Sequence, residues 1–215
     1  MKHSLFTILF LFSISSVCLA QTTTKFNLSD LLNKGSLVIN PRSTAIAMAD
    51  DNFKGISCTG IVWLKGMEFS TGSIDVDLRG KDVFQQSFLG IAFHGVDSIT
   101  NDVIYFRPFN FNSPDTLRRK HMVQYISEPD YSWDRLRKEH PLVYENTVIP
   151  QVAPTDWFHA RIVVDADSIR VYVNHATTPC LAVKKLNTRS NGLIGLWNDG
   201  LPGDFANLVI INDKQ

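Results

Sequence analysis

S-F-L-G-I-A-F-H-G (Ser87–Gly95) and, beyond a short polar turn at 96–101, D-V-I-Y-F-R-P-F-N-F (102–111) decide how this chain is read. Both runs alternate in the manner of strands, so they pair as a hairpin. In the second run Ile104 and Phe106 fall on one face, and Tyr105, Arg107 and Phe109 on the other, because side chains alternate at period two. An arginine between two aromatics is an odd choice for a sheet face that meets only solvent. That face reads as the floor of a groove.

Outward from the hairpin the signals stay β. Upstream, S-L-V-I, T-A-I-A-M-A, I-S-C-T-G-I-V-W-L-K and E-F-S-T-G-S-I-D-V-D-L-R-G follow one another from residue 36 to 80. In the last of these Ile74, Val76 and Leu78 face one way and Ser73, Asp75 and Asp77 the other, a half-buried strand. Downstream come H-M-V-Q-Y-I-S, W-F-H-A-R-I-V-V-D, S-I-R-V-Y-V-N, P-C-L-A-V-K-K-L, L-I-G-L-W and D-F-A-N-L-V-I-I. About a dozen short strands with turn residues between them predict an all-β sandwich or barrel. One stretch departs from this. Residues 127–157 are long for a connection between short turns, and Tyr131, Trp133 and Tyr144 argue for an ordered insertion. Ser127 with Asp130 resembles a capping box, and Pro129 suits a first turn, so a short helix is expected over 128–139.

The 215 residues begin with a basic start, an apolar run and a small residue at Ala20, the pattern of a cleaved signal peptide (1–20). The apolar run is shorter than the roughly 18 residues of a membrane span. Cys18 would suit a lipoprotein site, but Ser15, Ser16 and Val17 before it fit that processing poorly. Residues 21–36 then form an N-terminal arm, with Ser29 as the cap of a single helical turn, and 37–215 the jelly-roll domain. Asn27-Leu28-Ser29 is also a glycosylation sequon if the source is eukaryotic. Twenty-one basic and 21 acidic residues leave no positive excess for nucleic acid or an anionic membrane. Fourteen Phe and four Trp suit a sheet core and leave rings for stacking. Cys58 and Cys180 fit a disulfide of an exported protein and two separate buried thiols equally well.

The order E-F-S-T-G-S-I-D-V-D-L, F-L-G-I-A-F-H-G, I-Y-F-R-P, W-F-H-A-R-I-V-V-D with R-V-Y-V-N, and G-L-I-G-L-W…G-D-F-A-N-L-V-I resembles the concanavalin A-like lectin/glucanase sandwiches across most of 37–212. More narrowly, V-Q-Y-I, V-Y-V-N and the terminal G-x-I-G-L…F-x-N-L-x-I resemble 3-keto-disaccharide hydrolase-like domains of secreted bacterial proteins. The resemblance implies a concanavalin A-like jelly roll of two curved antiparallel sheets, with one short helix in the insertion and a concave face for glycan. One departure matters: the Glu-x-Asp-x-x-Glu strand of the family-sixteen glucanases is absent, and the nearest strand offers only Asp75-Val76-Asp77.

Several side chains are candidates for a site. Tyr105, Arg107 and Phe109 make a sugar platform, with rings for the apolar face of a pyranose and a guanidinium fork for its hydroxyls or carboxylate. His94 and Asp102 flank the same turn and are placed at the groove edge as an acid/base pair. The catalytic set, if there is one, is therefore His94, Asp102, Tyr105 and Arg107. Gln124 reads as a hydroxyl donor and acceptor near His121, although Val123 and Tyr125 compete with Met122 and Ile126 for the core there, and a one-residue slip inverts the faces. Trp133 and Arg137 share a helix face, and with Tyr144 they form either a rim over the ligand or a peg for the helix. His159, Arg161 and Trp157 share strand parity and face either the groove or the exterior. Trp197 opens W-N-D-G-L-P-G-D (197–204), whose oxygens suggest calcium, the one cofactor indicated; a tight turn accounts for them as well. No Cys/His spacing suggests zinc. Asp102, Glu128, Asp130, Glu145 and Asp204 are the carboxylates from which a glycosidase pair would have to come.

Three functions remain open on sequence alone. They are a secreted or cell-surface carbohydrate-binding jelly roll with a glycan partner, a glycoside hydrolase with non-standard acid/base residues, and a laminin-G-like adhesion module.

Overall fold

The computed structural model describes residues 21–48 and 53–213, so the expected signal peptide and the Cys18 question lie outside the described residues. The chain is an all-β antiparallel sandwich of the jelly-roll type. Its strands are β1 (Gln21–Phe26), β2 (Leu37–Ile39), β3 (Thr44–Ala47), β4 (Ile56–Phe69), β5 (Gly72–Arg79), β6 (Ser87–Gly95) and β7 (Asn101–Phe106). After these come β8 (Val123–Glu128), β9 (Glu145–Asn146), β10 (Phe158–Val164), β11 (Ser168–Val173), β12 (Leu181–Lys184) and β13 (Gly192–Asp213).

β13 organises the molecule. The sequence reads two strands here, but the structure runs one strand of 22 residues through both layers. Its first half lies between β4 and β6, and β7, β8 and β9 continue that sheet outward. Its second half lies between β5 and β1, with β10, β11 and β12 beyond β5. Gly200 marks the passage between halves with φ +86, and a Cβ there would lie 2.3 Å from the Gln86 carbonyl oxygen. The β1 pairing to residues 208–213 docks the N-terminal arm along the last strand.

The core forms between the layers from the inward set of each alternating strand. Ile74, Val76 and Leu78 of β5 and Ile162 and Val164 of β10 meet Leu89, Ile91 and Phe93 of β6 and Ile104 and Phe106 of β7 there, all shut off from solvent. Burial of so many branched and aromatic side chains is the main driving force for this fold. Val123 and Tyr125 also belong to this core, which places Gln124 and Ile126 on the opposite face of β8 and settles the parity question.

The helices differ from expectation. α1 (Leu28–Asn33) is capped by Asn27, whose side chain accepts from the Asp30 amide at 3.1 Å, and not by Ser29. α2 (Thr116–Arg119) was not foreseen; Asp115 caps it through the Leu117 and Arg118 amides. α3 occupies the insertion but spans Trp133–Glu139, with Ser132 at the N-cap position. Ser127 and Glu128 remain paired with Asp102 and Asn101 in the sheet, and Tyr131 bridges back to Ser127, so the capping-box residues are spent on strand and turn. Cys58 and Cys180 are both buried and free.

Candidate functional site

The outer face of the β4–β13–β6–β7–β8–β9 sheet carries the site. One row of paired residues crosses it: Ile61, Trp197, Gly90, Tyr105, Gln124 and Glu145, each opposite the next. Gly90 keeps the row open. A Cβ at this position would lie 2.0 Å from the Ile104 carbonyl oxygen and 2.7 Å from the Tyr105 Cα, so the strands close up only because it has no side chain. Over that gap the Trp197 and Tyr105 rings approach to 5.1 Å between centroids. The groove above this row encloses about 690 Å³, within the usual range for small-ligand sites.

Aromatic rings form much of its wall. Phe88 stands edge-on to Phe109 at 5.3 Å, and Phe84 edge-on to the same ring at 5.7 Å. Trp133 from α3 is half exposed and lies over the Arg137 guanidinium at 5.3 Å. Phe109 sits in a 3₁₀ turn (Pro108–Asn110) after β7 has ended, yet still reaches the groove.

The floor is polar and packed. Arg107 Nη1 donates to the His121 carbonyl at 3.0 Å, and Nη2 donates to the Tyr105 hydroxyl and to Gln124 Oε1. The Tyr105 hydroxyl in turn donates to Gln124 Oε1 at 2.8 Å. Glu145, also buried, draws three cationic or polar side chains together. Arg137 Nη2 lies 3.0 Å from its Oε2, Arg107 Nη1 3.6 Å, and His121 Nδ1 2.7 Å, the last out of line for a hydrogen bond. Burial lowers the pKa of Arg107 and of His121, in the latter case against the pull of Glu145. Burial pushes the Tyr105 hydroxyl up to about 12, so it is a neutral donor at ordinary pH. Glu128, in the groove wall, has its carboxyl pKa raised by burial and by the charge of Asp134.

Of the residues named from sequence, Tyr105, Arg107, Phe109, His121, Trp133, Arg137 and Trp197 line this groove. Gln124 is buried beneath it, with Nε2 unpartnered. The others lie elsewhere. His94 and Asp102 do meet, Nδ1 to Oδ2 at 3.1 Å, but are sealed from solvent and away from the groove. Asp102 has the parity of the core residues Ile104 and Phe106. On β6 an extra residue between the Ala92–Gly195 and Gly95–Leu193 pairs, with His94 at φ +48, turns His94 against Phe69 and Phe93. Asp102 also accepts from Tyr125, Asn187 and Arg189, and His94 Nε2 donates to the Ser70 carbonyl at 2.7 Å. Burial opposes the Asp102 carboxylate, but the His94 hydrogen bond and the Arg189 charge hold its pKa below the usual range. Without access to the groove this pair has no route to a substrate there.

His159 lies on the outer face of the other sheet, 2.8 Å from Asp77 and 3.1 Å from Asp75, its ring stacked on His175. Trp157 stacks on Phe53. Tyr144 packs against Tyr125 and His140 and pins the insertion. In the 197–204 segment, Asp199 faces the groove while Asp204 is paired with Arg79 at 2.9 Å, so the oxygens proposed for calcium diverge. Among the described residues no three His, Cys, Asp or Glu side chains gather as a metal site.

Sequence reasoning passed over Phe84, Phe88, Asn110 and Arg118. Phe88 alternates with Leu89 in a run apolar on both faces, and Arg118 belongs to an unforeseen helix, so neither had a periodic signal.

No family model matches the chain, and no curated protein matches it in sequence. Solved structures do match in fold. A carbohydrate-binding module, CBM66, from Bacillus subtilis superposes with a TM-score of 0.56 at 13% identity, over 80% of this chain and 93% of that one. A protein of unknown function with a galectin-like fold, also from Bacillus subtilis, gives 0.58 at 10% identity over 88% and 94%. The chain therefore has the jelly-roll fold of these two proteins, consistent with the concanavalin A-like resemblance.

Proposed function

We propose that this chain is a carbohydrate-binding jelly roll that takes a glycan in the groove over the Trp197–Gly90–Tyr105–Gln124–Glu145 row. The observation that carries the reading is the pairing of exposed and half-exposed rings with a fixed polar floor in one cavity. Rings stack on the apolar faces of pyranoses, and preset donors and acceptors select hydroxyl positions. The CBM66 module shares the fold, which supports the reading. Secretion after cleavage near Ala20 belongs to the same proposal, since a glycan binder of this kind meets its ligand outside the cell. No helix among the described residues is long and apolar enough to cross a membrane. A glycan array probed with the mature chain tests it: signal on a related set of glycans is expected, and a blank array contradicts it.

One observation favours a second reading, a glycoside hydrolase. Glu128 stands in the groove wall with a raised carboxyl pKa, the property a general acid needs. The narrower likeness to 3-keto-disaccharide hydrolase-like domains belongs with it. Product analysis after long incubation with array-positive oligosaccharides decides it: cleavage abolished by Glu128→Gln supports the reading, and intact oligosaccharide removes it.

A further inference from the structure

We infer, building on the glycan reading above, that the groove selects an acidic sugar and that Arg118 holds its carboxylate. The groove is lined by three arginines, and two of them already share a partner, since Arg107 and Arg137 both lean on Glu145. Arg118 differs: among the described residues no carboxylate oxygen lies within 4.0 Å of its guanidinium nitrogens. Its position is nevertheless fixed. Nε donates to Asn110 Oδ1 at 3.2 Å, Nη2 donates to the Phe109 carbonyl at 3.3 Å, and the guanidinium carbon sits 4.1 Å from the centre of the Phe84 ring. Asn110 is itself buried and anchored by donating to the His121 carbonyl at 3.1 Å.

A guanidinium carries five N–H donors. The two bonds just named leave Nη1 and one N–H of Nη2 unused, side by side in the geometry that receives a carboxylate in bidentate fashion. The half-exposed Phe84 beside it offers a surface for the sugar ring that bears the carboxylate. Of the acids that line the groove, Glu128 stands apart from this corner. Glu128 ends β8, seven residues beyond His121, which at about 3.3 Å per strand residue is on the order of 20 Å away. Asp199 lies on β13 opposite Phe88. The groove thus runs from the Arg118 guanidinium toward the Glu128 carboxylate. A sugar acid bound with its carboxylate at Arg118 fits that polarity, whereas a neutral sugar leaves the charge unanswered.

The test is an array carrying matched neutral, uronate-bearing and sulfated glycans, probed with the mature chain and with Arg118→Ala and Arg118→Lys. Signal concentrated on uronate-bearing glycans is expected. Titration with one of them should show about a tenfold loss of affinity for Arg118→Ala and a smaller loss for Arg118→Lys, which keeps the charge without the fork. Retained binding of any weaker neutral glycan by Arg118→Ala shows that the variant is folded. Equal signal on neutral and acidic glycans, or an unchanged Arg118→Ala, overturns the inference while the glycan reading stands. Signal on sulfated glycans without uronate overturns the carboxylate assignment. Silence across the array removes the glycan reading, and this inference with it.

Discussion

Arg107 Nη1 and Glu145 Oε2 lie 3.6 Å apart beneath the groove, with only 5% and 2% of the two side chains reaching solvent. They come from the residue that follows β7 and from a two-residue strand in the insertion, so this pair ties the insertion to the sheet. Removing one member of such a pair leaves the other charge buried and unanswered, which costs far more than the pair itself contributes. Glu145→Ala should therefore lower stability by about 3 kcal/mol, read as a fall in the urea midpoint. A midpoint equal to that of the unaltered chain would show that Arg107 finds other compensation. Arg107→Ala leaves Glu145 with Arg137 at 3.0 Å, but strips the His121 carbonyl, the Tyr105 hydroxyl and Gln124 of their buried donor, so it should lose both binding and stability.

Trp133 is half exposed on α3, so it contributes little to the core while facing the groove. Trp133→Ala should leave the thermal midpoint near its original value and weaken glycan binding by about three- to tenfold, the worth of one stacking contact. Calorimetric titration alongside thermal melts checks both halves. A large drop in midpoint with unchanged affinity would make Trp133 a peg for the helix instead.

Gly90→Val places a branched side chain where even a Cβ lies 2.0 Å from a backbone oxygen. Strands β6 and β7 must then part, at a cost of about 3 kcal/mol or more. The expected result is poor soluble yield or a strongly lowered melting point; a normal melt would mean that the sheet yields more easily than its register implies.

His159 supplies a pH signature remote from the groove. Hydrogen bonds to Asp75 and Asp77 push its pKa up to about 9 from an ordinary 6.5, despite partial burial. The folded state therefore holds the proton more tightly than the unfolded chain. Its stabilisation is complete below pH 6.5 and fades as pH rises through about 9. Melts at steps between pH 6 and 10 should fall in the unaltered chain, and His159→Gln should flatten part of that fall. Superimposable profiles would show that the clamp adds nothing. Glycan affinity should be the same in both chains, since His159 lies on the other sheet.

Strand alternation made much of this legible. It placed Tyr105 and Arg107 on one face and Ile104 and Phe106 on the other, and the structure keeps that division. Alternation fails where a bulge intervenes: the extra residue in β6 turns His94 away from the groove, and it meets Asp102 inside the core. It also says nothing where both faces are apolar, as at Phe88, or where a strand is as short as the two residues that carry Glu145. Turn chemistry misled at Ser127, because strand pairing outweighed a local capping pattern. The single long β13 was read as two strands because W-N-D-G-L-P-G looks like a loop in isolation; pairing on both edges keeps it extended.

The account stands or falls on whether glycan occupies this groove, and its own tryptophans report on that. Trp133 and Trp197 line it, whereas Trp63 is buried and Trp157, stacked on Phe53, is not in its lining. Titrating an array-positive oligosaccharide should produce a saturable change in tryptophan emission that is lost in the Trp133→Phe/Trp197→Phe double variant. An unchanged response in that variant, or binding by calorimetry with no emission change in the unaltered chain, would place the ligand elsewhere and contradict the account.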